Sequence, residues 1–223
     1  MIAAIVHELG HIIVGVISGF KFYLFSVGPF GFKSMKKGKI TFYIQKNITL
    51  WGGMSATLPQ NNDSMNFKKF KRVMIGGPIV SVLFGLIWTS VGVTNNIVFV
   101  LLMGAISLGM GIVCLLPVRN GAFYTDGGSW LRMHKQGREK EVEMAVWNIT
   151  QSSIINENYA NSDLDDIEIL KRDDDTRTKY MGYYFAYCFY KDNGNFFEAE
   201  NEEKVLADMK LIVPRQMAML YHI

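Results

Sequence analysis

The sequence predicts an all-α polytopic membrane protein: a three-helix core, a small β-hairpin insertion and a cytoplasmic helical tail. Three observations carry this. Residues Val73 to Pro117 contain no Asp, Glu, Lys or Arg, a run of 45 uncharged positions in a chain of 223. Residues 1–20 contain no Lys or Arg and a single acid, Glu8. The charge missing there is concentrated elsewhere: residues 20–72 hold ten Lys or Arg against one acid, Asp63, and the last ninety residues are rich in both signs. A net charge of +3 says little, but its distribution separates an apolar core from a solvated tail.

The first span is read over residues 1–19. At about 1.5 Å per residue, 19 residues just reach across a bilayer core of roughly 30 Å. A signal peptide would need a basic start and a small-residue cleavage site, and "MIAAIVHELG" has neither. Residues 20–56 are β-like. "KFYLFSVGPFGFK" and "GKITFYIQKNITLWGG" show β-branched and aromatic runs broken by Gly and Pro, which suits a hairpin or small sheet. Residues 57–66, "TLPQNNDSMN", read as a polar loop. The second and third spans are read over 73–93 and 97–117, separated only by "TNN" at 94–96, so they form a tight helical hairpin. Small residues (Gly76, Gly77, Ser81, Gly85, Gly104, Ser107, Gly109, Gly111) allow close helix approach. Residues 133–223 have helical periodicity and form a cytoplasmic domain, with a helix pair turning at "DNGN". Cys114 and Cys188 are not expected to form a disulfide.

Orientation follows from the basic loop. Lys and Arg favour the cytoplasmic side, so loop 20–72 and the tail are expected inside and the 94–96 turn outside. The same basic residues suit contact with anionic lipid, and no nucleic-acid partner is expected.

The chemistry sits in "HELGH", residues 7–11. His7 and His11 are four apart and share one helical face, close enough for two imidazoles to reach one metal ion. Glu8 leans to the side of that face, where it can take a proton from water without being a ligand. This is the H-E-x-x-H pattern of zinc peptidases. With four histidines in the chain, chance alone gives it roughly 0.003 times. Histidines satisfied by polar neighbours are the bland alternative, yet an unpartnered carboxylate in a span costs several kcal/mol. Zinc requires a third protein ligand. His134 and His222 lie in the tail. Asp126 in "LLPVRNGAFYTDGGSWL" is the better candidate, because Pro117 and Gly121 break the helix and let the backbone fold back. "GGP" at 76–78 is either close helix packing or part of a substrate-binding surface.

"HELGH" in the first core helix, "GGPIVSVL" in the second and "LLPVRNGAFYTDGG" after the third resemble, in order and spacing, the site-2 protease family of intramembrane zinc metallopeptidases. The resemblance covers about residues 1–132, expected as the protease core. It implies His7, His11 and Asp126 as zinc ligands and Glu8 as catalytic base. The 20–56 region resembles the family's membrane-associated β-hairpin, with Gly52 and Gly53 matching the glycine pair that closes it. By the same match Gly52, Gly53, Gly77, Pro78 and Ser81 are candidates for contact with substrate. Ser81 stands where many members carry Asn, Cys114 where many have Asn before "LLP", and the gap from Pro117 to Asp126 is longer than in the commonest form. The function implied is zinc-dependent cleavage of a peptide bond in or near the transmembrane segment of a single-span membrane protein or signal-peptide remnant. Two other readings stay open: an inactive relative that acts as a binding or regulatory protein, and a metal-binding transporter. The tyrosine-rich stretch from Tyr180 to Tyr190 reads as the core of a tail helix or as a groove for a cytoplasmic partner.

Overall fold

The computed structural model describes residues 1–35, 39–46, 48, 51–61, 63, 65–120 and 123–220. Gly121 and His222, named above, lie outside them. The chain divides into two compact units. The first comprises residues 1–118 with 124–130, and the second residues 119–123 with 131–223.

The first unit begins with helix α1, Ile2–Ile17. It stops two residues short of the expected span. Gly19 takes φ +88, the Gly19 amide bonds to the Val16 carbonyl, and the Phe20 amide reaches back to Gly15. This is a Schellman turn, which a left-handed glycine makes easy. Sixteen residues give about 24 Å, less than a bilayer core requires without thinning or snorkelling. Among the described residues two helices are long and apolar enough to cross: α2, Asn66–Thr94, and α3, Val98–Leu115. Helix α2 begins at Asn66, before the expected Val73. Its basic first turns continue the helix without a break, so charge marks the apolar boundary but not the helical one. Outward-facing Leu83, Ile87, Val93, Phe99, Leu102 and Ile106 are all more than half exposed. Such a belt is ordinary in lipid and rare on a water-soluble helix.

Glycine sets the contact between α2 and α3. A Cβ on Gly85, Gly92 or Gly104 would run into the backbone of Leu108, Leu101 or Thr89 respectively. The three contacts run along most of the helical hairpin, which lets the two backbones approach closely.

Of the two expected forms, hairpin or small sheet, the β-like region is a small sheet. Strands β1 (Lys21–Val27), β2 (Phe30–Ser34), β3 (Ile40–Ile44) and β4 (Met54–Leu58) form one antiparallel sheet in the order β3-β2-β1-β4. Gly28 takes φ +61 in the two-residue turn between β1 and β2, a position that favours glycine. Strand β4 takes in Thr57 and Leu58 of the expected polar loop. "MSATL" has too few β-branched or aromatic residues to signal a strand, and its pairing with β1 supplies what propensity does not. Phe22 pairs with Thr57 and Leu24 with Ala56, so Tyr23 is a bulge.

After α3 come two-residue strands β5 (Arg119–Asn120) and β6 (Phe123–Tyr124) and helix α4, Asp126–His134. The second unit contains α5 (Arg138–Asn156), α6 (Leu164–Lys171), α7 (Thr176–Asp192), α8 (Phe196–Met209) and α9 (Arg215–Leu220). Ile149, Ile167, Leu170, Tyr180, Leu206 and Met217 are its largest fully buried side chains among the described residues. The turn between α7 and α8 falls at 193–195, with Gly194 at φ +74. Side chains cap three of these helices: Asp163 accepts from the Asp165 amide, Asp175 from Arg177 and Thr178, and Asn195 from Glu198. Tyr180 and Phe185 of the tyrosine-rich stretch are buried in the core. Cys114 and Cys188 are both free thiols.

Candidate metal centre

Helix α1 supplies three polar side chains, and α2 makes room for them. Gly10 lies against Gly76 and Gly77, where a Cβ would come within 2.7 Å of the Gly76 carbonyl oxygen. That approach brings His7 and His11 up to the face of α2. Their rings sit 5.0 Å apart, edge to face, and both Nε2 atoms turn towards one point.

The other ring nitrogens are held by α2. His11 Nδ1 lies 2.7 Å from the Val73 carbonyl oxygen, which can only accept, so Nδ1 carries the hydrogen and donates it. This leaves the lone pair of the neutral ring on Nε2. His7 Nδ1 lies 3.1 Å from the Ser81 hydroxyl, and the Ser81 carbonyl accepts from Ser107 of α3. Partners of this kind fix the tautomer and orientation of metal-binding histidines.

Asp126 reaches the cluster from the far end of the unit. The Thr125 hydroxyl donates to the Leu116 carbonyl, and the Thr125 amide to Val118 at 2.9 Å. These bonds close the loop that leaves α3. Gly127 then sits flat on α3, where any Cβ would collide with the Leu115 carbonyl. Asp126 Oδ2 comes to 3.0 Å from His7 Nε2 and 3.6 Å from His11 Nε2, and the two Nε2 atoms are 3.3 Å apart. When the rings carry protons in place of an ion, burial pushes the Asp126 carboxyl up, but the hydrogen bonds from His11 and His7 and their charges outweigh it and hold it at about 2. It is therefore anionic at neutral pH, the form that binds metal.

These three edges test whether zinc fits. Bonds of 2.0–2.1 Å in tetrahedral geometry set donor atoms about 3.3 Å apart. The observed triangle, with edges of 3.0, 3.3 and 3.6 Å, is of that size. Two neutral imidazoles and a carboxylate are also a donor set that zinc accepts.

Glu8 is outside the triangle and belongs to the sheet side of α1. Its Oε2 accepts a 2.5 Å hydrogen bond from the Ser55 hydroxyl of β4. Gly53 stands beside it at φ +124, and a Cβ there would come within 2.6 Å of Glu8 Oε1. Gly53 thus meets two demands, a left-handed backbone and an empty side.

The other expected residues fall in different places. A Cβ on Gly77 would land on the His11 ring. Pro78 and Ser81 are fully buried within the helix packing, and Gly52 has open space around it. Of the GGP alternatives, packing describes Gly76 and Gly77 directly. His134 is exposed on α4. Ser55, the Val73 carbonyl and the Cys114 thiol also stand at the cluster, and sequence reasoning did not place them there. For Ser55 a signal exists: it is two residues beyond Gly53, so in a strand it shares Gly53's face.

Residues 1–98 match the family model described as Peptidase family M50. This range includes His7, Glu8, His11, the sheet and α2, and stops before Asp126. Comparison with curated proteins and with solved structures found no match.

Proposed function

We propose that this chain, whose residues 1–98 match the model of peptidase family M50, is a zinc-dependent endopeptidase of the site-2 protease type acting in or near the transmembrane segment of its substrate. The observation that carries this is the convergence of His7 Nε2, His11 Nε2 and Asp126 Oδ2 on one point, with the Glu8 carboxylate adjacent and separately held.

In this reading His7, His11 and Asp126 hold the metal. Zinc, when bound, supplies Lewis acidity: it polarises a carbonyl and lowers the pKa of water. Glu8 does the proton work. It takes a proton from the attacking water at its carboxylate and passes it to the leaving amine. Ser55 and Gly53 keep that carboxylate at one place beside the triangle, so the base does not have to be ordered during reaction. Ser81 and Val73 do the same for the two imidazoles.

A substrate helix hides its carbonyls in its own hydrogen bonds and must unwind before cleavage. Strands β3 and β4 are the edges of the sheet, and β4 carries Ser55. An extended substrate segment added at a sheet edge would have its main chain paired. Multi-pass insertion, with loop 20–72 and the tail in the cytoplasm, is part of the same proposal and rests on the two apolar helices and the basic loop.

The test is Glu8→Gln. The amide keeps size and hydrogen bonding but has no basicity. Purified variant and wild type should each hold about one zinc per chain. Cleavage of single-span peptides in liposomes, read by mass spectrometry, should fall at least ~10²-fold in the variant. Cleavage by Glu8→Gln at the wild-type rate would reject the mechanism. A wild type that binds zinc but cleaves no peptide of a broad single-span library would favour the inactive-relative reading instead.

A further inference from the structure

Cys114 lies on the last turn of α3, and its sulfur is part of the cluster. The Cys114 sulfur and the ligand atoms of His7 and Asp126 all lie within 4.8 Å of one another. The fold produces this closeness. Gly127 packs directly on the Leu115 carbonyl and Thr125 donates to Leu116, so the backbone that carries Asp126 is fastened one and two residues beyond Cys114. The thiol forms no disulfide.

The triangle of His7, His11 and Asp126 leaves a tetrahedral ion one more position. A zinc–sulfur bond of about 2.3 Å would place the sulfur about 3.5 Å from the other donors. The sulfur already lies within 4.8 Å of the ligand atoms of His7 and Asp126, so an approach of at most about 1.3 Å brings it to that distance from both. A free cysteine in an apolar helix ordinarily acts as a small hydrophobe. One whose sulfur is this close to an imidazole and a carboxylate has metal chemistry within reach.

We propose that Cys114 is a fourth metal donor, so that the chain closes a His7–His11–Asp126–Cys114 set around the ion when no substrate is present. This rests on the metal-site reading above. As the sulfur–metal bond forms, the S–H bond breaks and its proton passes to solvent, with no oxidant or reductant involved. The added thiolate makes the set softer and favours zinc over hard cations such as magnesium or manganese. It also fills the position that catalytic zinc sites keep open, so the resting centre is closed in the manner of a structural site. Substrate entry must then move the sulfur aside.

The test uses the full-length protein in detergent on a Cys188→Ser background, which leaves Cys114 as the only thiol. Metal is stripped with a chelator and Co2+ is titrated in. The expected spectrum combines d–d bands of tetrahedral cobalt with a sulfur-to-cobalt charge-transfer band in the near ultraviolet. In Cys114→Ser the d–d bands should remain and the charge-transfer band should vanish. As a second measurement that needs no substitution at Cys114, zinc should slow its alkylation by iodoacetamide at least about tenfold relative to the stripped protein. Cobalt binding without the sulfur band, with alkylation equally fast with and without zinc, overturns this proposal and leaves the metal site standing. No uptake of cobalt or zinc by the parent protein overturns the metal site and this proposal together.

Discussion

Gly77 has no side chain where the His11 ring needs room, and that single absence has a measurable consequence. Gly77→Ala would place a methyl group on the imidazole. His11 must then swing out of the triangle, so the variant should lose zinc as fully as His7→Ala, His11→Ala or Asp126→Ala. Zinc content by elemental mass spectrometry checks this. Gly52→Ala, with open space around the residue, should keep its zinc and serves as the control. Full zinc retention in Gly77→Ala would mean that His11 is not a ligand. Residues of this kind differ in how far the sequence reveals them. His7, Glu8 and His11 are legible because one helix turn brings them together, and a local period needs no tertiary knowledge. Asp126 is legible through the Pro and Gly that break the chain before it. Ser55 is legible only through its spacing from Gly53 once β4 is known to be a strand, and Cys114 is not, because only the last turn of α3 brings it to the cluster. A backbone carbonyl such as that of Val73 has no residue type to read.

Helix α7 begins at an aspartate that can be tested apart from the metal. Asp175 accepts from the amides of Arg177 and Thr178 and pairs with Arg119 at 2.7 Å. Burial pushes its carboxyl up, but the Thr178 amide, the Arg119 guanidinium and the Arg177 amide outweigh that and hold it below the usual aspartate range. A lowered folded pKa contributes stability that is present above the unfolded value of about 3.9 and is lost as pH falls through the folded one. Asp175→Ala should therefore loosen the first turn of α7 by about 1 kcal/mol at neutral pH, read as faster amide exchange at 177–180 by mass spectrometry. Asp175→Asn keeps an accepting oxygen and should lose less, and its exchange should show no added loss as pH drops below about 4. Equal exchange in all three proteins at neutral pH would remove the cap from the account. Capped helices such as α7 are legible because an aspartate just before the helical run, as in "DDDT" at 173–176, is a local start signal. Strand β4 is not, because what makes it a strand is its partner β1.

For the molecule as a whole the testable statement is topology. The proposed orientation, read from the ten basic residues of 20–72, predicts that reporters placed at Lys39 and after Met133 read inside and one at Asn95 outside. An external Lys39 would reverse the orientation. Two of the three expected spans are read from composition and have the length to cross. The first span is shortened by Gly19, whose turn hydropathy does not register. That short helix has a further property. It is fastened to strand β4 at two points, Glu8 against Ser55 and Gly15 against Thr57, two turns apart along its axis. One such rivet leaves a cylinder free to roll, and two lock its azimuth. A roll of one residue would turn α1 by about 100° and swing both imidazoles away from α2. The sheet thus acts as the torsional anchor of the helix that carries the histidines, and a load applied at the strand edge reaches His7 and His11 as torque.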